Sequence, residues 1–105
     1  MSSRLEGLVG RCVRRVDQIH DYVQLHCDLG VTLSIFNLFA ARGTDEAGLD
    51  ALVGMTITQV SESPESAVIQ FGTGATVSID LRDAAYHGPE AMTLIVPGEP
   101  IVVWT

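Results

Sequence analysis

Apolar and polar residues alternate with period two along two stretches of the chain. Val23, Leu25 and Cys27 take turns with Tyr22, Gln24 and His26, and Val31, Leu33 and Ile35 with Thr32, Ser34 and Phe36. Such alternation puts one set on a buried face and the other on a more exposed face, so it predicts two strands. Asp28-Leu29-Gly30 lies between them, and glycine reaches the positive φ that a tight hairpin requires. Upstream, Val13 and Val16 are three apart, which breaks strict alternation and predicts a first strand kinked by a bulge at Arg14-Arg15.

The same order recurs 44 positions later. Residues 5–37 align with 49–81 without a gap, through the identities Leu5/Leu49, Leu8/Leu52, Val9/Val53, Gly10/Gly54, Val16/Val60, Gly30/Gly74, Thr32/Thr76, Ser34/Ser78 and Ile35/Ile79. Apolar pairs such as Val13/Ile57, Leu25/Ile69, Cys27/Phe71 and Leu33/Val77 fill the gaps. Shared turn glycines and shared alternation mean two copies of one supersecondary unit. The second copy then carries its own bulge at Thr58-Gln59 and its own hairpin at Gly72-Thr73-Gly74.

Each copy opens on a short candidate helix. Ser3 and Glu6 have capping-box spacing ahead of Leu8 and Val9, with Gly10 to end the segment, and Thr44 or Asp45 can cap the counterpart that runs to Gly54. One turn of helix is expected between Asp80 and Tyr86. Pro97-Gly98-Glu99-Pro100 then separates two apolar runs, predicting a C-terminal hairpin over residues 92–104. The whole sums to about eight strands. The expected fold is mainly β: two short-helix plus three-strand antiparallel meanders and a hairpin, forming one curved sheet, small barrel or sandwich. No long Pro, Ser or Gly linker separates the copies, so residues 1–105 are expected to share one core as a single domain.

Composition narrows the function. With 47 % apolar and 18 % charged residues the chain can fold around a core, but at 105 residues that core leaves little room for an internal active-site cavity. The longest apolar stretch, 29–41, is broken by Thr32, Ser34 and Asn37 and is shorter than the roughly 20 residues of a membrane helix. No apolar signal region opens the chain, so a cytoplasmic location is expected. The net charge of −7 is unevenly placed, because five of the six Arg precede residue 43 while nine of the 13 carboxylates follow it. The second part would repel a phosphate backbone, which argues against direct nucleic-acid binding. It would attract a basic protein surface, or else serve only to keep a small protein soluble.

Gly72-Thr73-Gly74 sits between strands rather than opening a helix, so it reads as a turn and not a phosphate loop. Cys27 aligns with Phe71 on an apolar face and reads as a core residue; a cytoplasmic location argues against a disulfide with Cys12. His20, Asp21, His26 and Cys27 are potential metal ligands, yet His26 and Cys27 are consecutive in a strand and point to opposite faces. His87 and Glu90 lack a nucleophile or oxyanion hole beside them, and Trp104 reads as closing the core's edge. No catalytic residue, metal or cofactor is therefore assigned. Phe36 falls on the Thr32/Ser34 face, where the second copy has Asp80, and a partly exposed aromatic there would make an interface anchor.

Three segments carry a resemblance that covers nearly the whole chain: Leu8-Val9-Gly10-Arg11 leading to Val13; Asp21-Tyr22-Val23-Gln24-Leu25 with Leu33-Ser34-Ile35-Phe36-Asn37; and Tyr86-His87-Gly88-Pro89-Glu90-Ala91. Together they resemble small bacterial immunity proteins of polymorphic-toxin and contact-dependent inhibition loci. The resemblance implies an acidic binder that occludes the active site of a cognate toxin, and it brings no catalytic motif. If that toxin is a nuclease its substrate groove must be basic, and an acidic surface can block it without chemistry. The residues expected to face such a partner are Asp45, Glu46, Glu62, Glu65, Asp80, Asp83 and Glu90, with Phe36 as the apolar anchor. A non-catalytic β domain that binds a small ligand or joins a larger assembly is the alternative.

Overall fold

The computed structural model describes residues 4–20 and 22–105 and, for residues 45–47, the backbone alone. In the first copy, β1 (Val13–Ile19), β2 (Tyr22–Cys27) and β3 (Thr32–Ile35) form an antiparallel meander. In the second, β5 (Ile57–Glu62), β6 (Ser66–Phe71) and β7 (Thr76–Asp80) repeat it. The registers are equivalent position by position. Val13 faces Cys27 where Ile57 faces Phe71, and both first strands slip by one residue immediately afterwards. That bulge reverses the inward parity, so Val13 and Val16, like Ile57 and Val60, all turn towards the core despite their odd spacing.

The meanders lie in two separate sheets rather than in a closed barrel. They meet where β1 and β5 begin. Gly10 N–H donates to the Ile57 carbonyl and Gly54 N–H to the Val13 carbonyl, each at 2.8 Å. Ile57 N–H donates to Arg11 and Val13 N–H to Met55, each at 2.9 Å. Every bond in this seam has a partner 44 residues away, so the two copies are related by a local twofold axis that passes between Cys12 and Thr56, which face each other across it.

The repeat is longer than its sequence identity. A fourth strand, β4 (Phe39–Arg42), follows the first copy but pairs with β7 of the second. Its counterpart β8 (Met92–Ile95) follows the second copy and pairs with β3 of the first. Ile79 faces Phe39 as Ile35 faces Met92, so the copies exchange their last strands across the axis. Phe36 N–H donates to the Ala91 carbonyl just as Asp80 N–H donates to that of Leu38. The offset grows from 44 to 53 between these points, which locates a nine-residue insertion at 82–90. A last strand, β9 (Val102–Trp104), adds to β8 as the expected C-terminal hairpin. The sheets are thus β1-β2-β3-β8-β9 and β4-β7-β6-β5, nine strands among the described residues where about eight were expected, with β4 unforeseen.

The candidate helices are short 3-10 segments. Arg4–Leu8 buries Leu5 and Leu8, and Asp45–Leu52 buries Leu49 and Leu52 at the equivalent place. Ser3 lies outside the described residues, and with it the expected capping box. Thr44 precedes the second segment but makes no side-chain capping bond. Another turn, Asp83–Ala85, falls inside the insertion. Inward residues from both sheets form one cluster in which Leu25, Leu33, Ile57, Ile69, Ile79 and Met92 are fully buried. No helix among the described residues is long and apolar enough to cross a membrane.

The C-terminal edge is held by a clamp around Glu62. Its carboxylate accepts from the Trp104 indole N–H at 3.0 Å, from the Arg4 backbone N–H at 2.8 Å and from the Arg4 guanidinium at 3.0 Å. That guanidinium also lies 4.6 Å from the centre of the Trp104 ring. Trp104 does close the core's edge, as expected.

Gly43 marks the crossover into the second copy at φ +75°, and a Cβ there would meet the Ala75 Cα at 3.0 Å. Gly43→Ala is expected to lower the unfolding free energy by about 1–3 kcal/mol. Gly88→Ala, in open space, should stay within about 0.5 kcal/mol of the parent. Urea denaturation of both variants checks this.

Candidate functional site

The strand exchange brings residues 36–38 against the insertion at one end of the molecule. Because Val23 faces Ile35, the next positions outward, Tyr22 and Phe36, face each other on the outer side of the sheet. Their rings pack at 5.2 Å with a 44° tilt. Beside them opens a groove of about 640 Å³, lined by Ile19, His20, Tyr22, Phe36, Asn37 and Leu38 among others, with His87 from the insertion. Two further hollows share this segment. One, of about 530 Å³, runs along Leu38, Phe39 and Ala40 to Glu65, Asp80 and Arg82. The other, of about 210 Å³, lies between Phe36 and the 87–90 loop with Glu90. Leu38, between β3 and β4, is 60 % exposed.

Asn37 is a buried polar residue of this segment. It is 3 % exposed, and its Nδ2 donates to the Asp80 carbonyl at 2.8 Å, which ties the two crossovers together. Its Oδ1 has no hydrogen-bond donor among the described residues. A buried acceptor left in that state costs about 1–3 kcal/mol. The equivalent position in the second copy is Leu81, which needs no partner.

The expected partner-facing residues divide into groups. Phe36, Glu65, Asp80 and Glu90 gather around the 36–39 segment. Asp83 is exposed but borders another hollow, beside Tyr86, Trp104 and Arg4. Glu62 is consumed by the Trp104 clamp and keeps only 16 % of its side chain exposed, so it cannot also reach outward. The side chains of Asp45 and Glu46 lie outside the described residues. Asp80 is not a bare charge either. Arg82 holds it first through its guanidinium at 2.7 and 3.0 Å and then through its backbone N–H at 2.9 Å, which brings the carboxyl down to about 2 and pushes Arg82 up from its ordinary value.

The remaining candidates are placed by strand parity. His26 faces outward and hydrogen-bonds Asp17 at 3.0 Å, with Arg15 at 3.1 Å from the same carboxylate, while Cys27 faces the core. Burial first, then the Asp28 charge, raises the Cys27 thiol to about 11. No group of three or more His, Cys, Asp or Glu suited to a metal occurs among the described residues. Sequence reasoning missed Asn37 and Leu38 as site residues. The available signal was a break in the repeat, where a polar residue stands opposite leucine just before nine unmatched positions. The chain matches no family model, no curated protein and no solved structure.

Two titrations follow. The Asp80 carboxyl is depressed, so its contribution to stability is complete above its ordinary value of 3.8 and is lost as pH falls through about 2. An NMR carboxyl titration should give that midpoint, and Arg82→Ala should move it part of the way back, since the backbone N–H remains. Cys27 is raised, so it stays a neutral thiol until pH approaches about 11. Iodoacetamide at neutral pH, followed by mass spectrometry of peptides, should leave Cys27 unmodified in the native protein and label it in urea.

Proposed function

We propose that this chain is a non-catalytic protein-binding module of the immunity type, which covers the active site of a basic cognate toxin from within the cytoplasm. The supporting observation is the end of the molecule just described. An exposed leucine and an aromatic pair are flanked there by Glu65 and Glu90, while Asp80 and Arg82 neutralise each other. An apolar centre with an acidic rim is the anatomy of an interface for a cationic surface, since aromatic anchors supply affinity and rim charge steers encounter. The resemblance to immunity proteins points the same way, and no cofactor enters such a mechanism.

The direct test is capture of the product of the neighbouring gene, with that protein's activity assayed with and without this chain. Inhibition at one equivalent supports the reading, and no binding rejects it. Electrostatic steering adds a second measurement. Between about 0.01 M and about 1 M salt the Debye length falls from about 30 to about 3 Å. The association rate should drop by roughly tenfold or more over that range. The double reversal Glu65→Lys with Glu90→Lys should slow association at low salt and leave dissociation nearly unchanged in stopped-flow experiments.

A further inference from the structure

We infer that the outer edge of β4 and the groove beside it receive an extended strand of the partner protein, one that carries an aromatic residue. This deepens the proposed function and rests on reading the chain as a protein-binding module. The twofold relation supplies the comparison. β4 and β8 are counterparts, yet β8 has β9 on its outer side, whereas β4 ends its sheet with no strand beyond it among the described residues. Burial records the difference. Met92 and Leu94 in β8 are 0 and 2 % exposed, while Phe39 and Ala41, which hold the same places in β4, are only partly buried. The groove itself is the counterpart of the place that Trp104 fills. Trp104 donates to Glu62 and shares a hollow with Ser63, Pro64 and Leu81. In the first copy these positions are Gln18, Ile19, His20 and Asn37, and all of them line the groove of about 640 Å³, together with Phe39. The insertion contributes His87 to the lining and leaves the place open.

Backbone polarity agrees. Asp80 N–H donates to the Leu38 carbonyl, so alternation along the antiparallel ladder turns Ala40 and Arg42 towards β7 and the N–H and C=O groups of Phe39 and Ala41 towards the open edge. In the other sheet the same parity aims Met92 and Leu94 at Trp104 and Val102. Ala91 N–H donates to the Trp104 carbonyl at 2.7 Å, whereas Leu38 N–H, its counterpart, meets the Ala85 carbonyl at the long distance of 3.5 Å. A segment running antiparallel to β4 therefore sets two of its residues opposite Phe39 and Ala41, as Trp104 and Val102 stand opposite Met92 and Leu94. Its main chain completes the ladder, and its aromatic residue enters the groove and covers Ile19 and Leu38, which are 40 and 60 % exposed. The chain's own β9 is retained by Glu62 and Arg4, so the segment comes from another protein.

The test is an NMR titration of the full chain with the synthetic peptide Ile-Val-Val-Trp-Thr, the sequence of residues 101–105, extended by N-terminal lysines for solubility. Saturable shifts at the Phe39 and Ala41 amides and at Gln18 and Ile19 are expected, with residues 92–95 unmoved. Alanine in place of the peptide's tryptophan should weaken binding by roughly tenfold or more. In the protein, Ala41→Pro removes an N–H that faces the open edge rather than β7 and should weaken binding by roughly tenfold. Ile19→Gln makes the groove more polar at an exposed position and should weaken it by about threefold. Urea denaturation verifies that both variants are folded. Unsaturable shifts, shifts confined to β8 and β9, equal binding of the alanine peptide, or unchanged affinity in both folded variants would overturn the inference. So would a concentration-dependent dimer that protects the β4 amides, because a second copy is then the occupant. Failure here is separable from failure of the proposed function. A neighbouring-gene product that binds the parent and Ala41→Pro equally well, with no peptide response, rejects the strand site and retains the module; a product that binds neither, with the peptide response intact, does the reverse.

Discussion

Four backbone hydrogen bonds between residues 10–13 and 54–57 tie the start of one meander to the start of the other. Each meander has an inward apolar face and could in principle pack on any other apolar surface. The seam fixes which surface, in which orientation, by pairing the starts of β1 and β5 antiparallel about a local twofold axis. The positive φ of Gly10 and Gly54, at 85° and 90°, turns the chain from its 3-10 segment into the seam at the two equivalent places. Once that orientation is set, the fourth strand of each copy leaves its own sheet and completes the other. The exchange makes the sheets interdependent, so the core is one cluster.

Local pattern made much of this visible in the chain. The meanders, their hairpins and both bulges follow from period-two alternation and glycine placement, which depend on neighbours within a few residues. The twofold relation was present in the 44-residue repeat. What escaped was non-local. Phe-Ala-Ala-Arg, the sequence of β4, is too short and too poor in β-branched residues to announce a strand, and it pairs with residues 76–79 rather than with anything adjacent. Its identity as the counterpart of β8 is hidden by the nine inserted residues.

The same distinction governs the candidate site. Composition placed an excess of carboxylates in the second part, but it could not say which of them have partners. Glu62 lies under Trp104 and Arg4, and Asp80 is clasped by Arg82, whereas Glu65 and Asp83 remain exposed. Phe36 was recognisable because the alternation that runs through β3 assigns its side, and parity then placed it opposite Tyr22. Asn37 looked like an ordinary residue at a strand end. Its significance arises from the crossover, where it is buried against the Asp80 backbone with half of its amide unused.

A twofold scaffold presents most of its surface twice, and a partner that recognised a duplicated feature would find two overlapping places to bind. A single bound orientation requires a surface that the axis does not reproduce. In this chain the departures from symmetry are β9, which caps one sheet edge, and the insertion at 82–90, which packs against residues 36–38. The first is occupied by the Trp104 clamp and is structural. The second leaves Leu38 exposed beside the groove, and it is there that Phe36 stands where the other copy has an aspartate and Asn37 where it has a leucine. The place where the duplication is broken is therefore also the place where this small protein can distinguish one end of itself from the other, which any one-to-one complex demands.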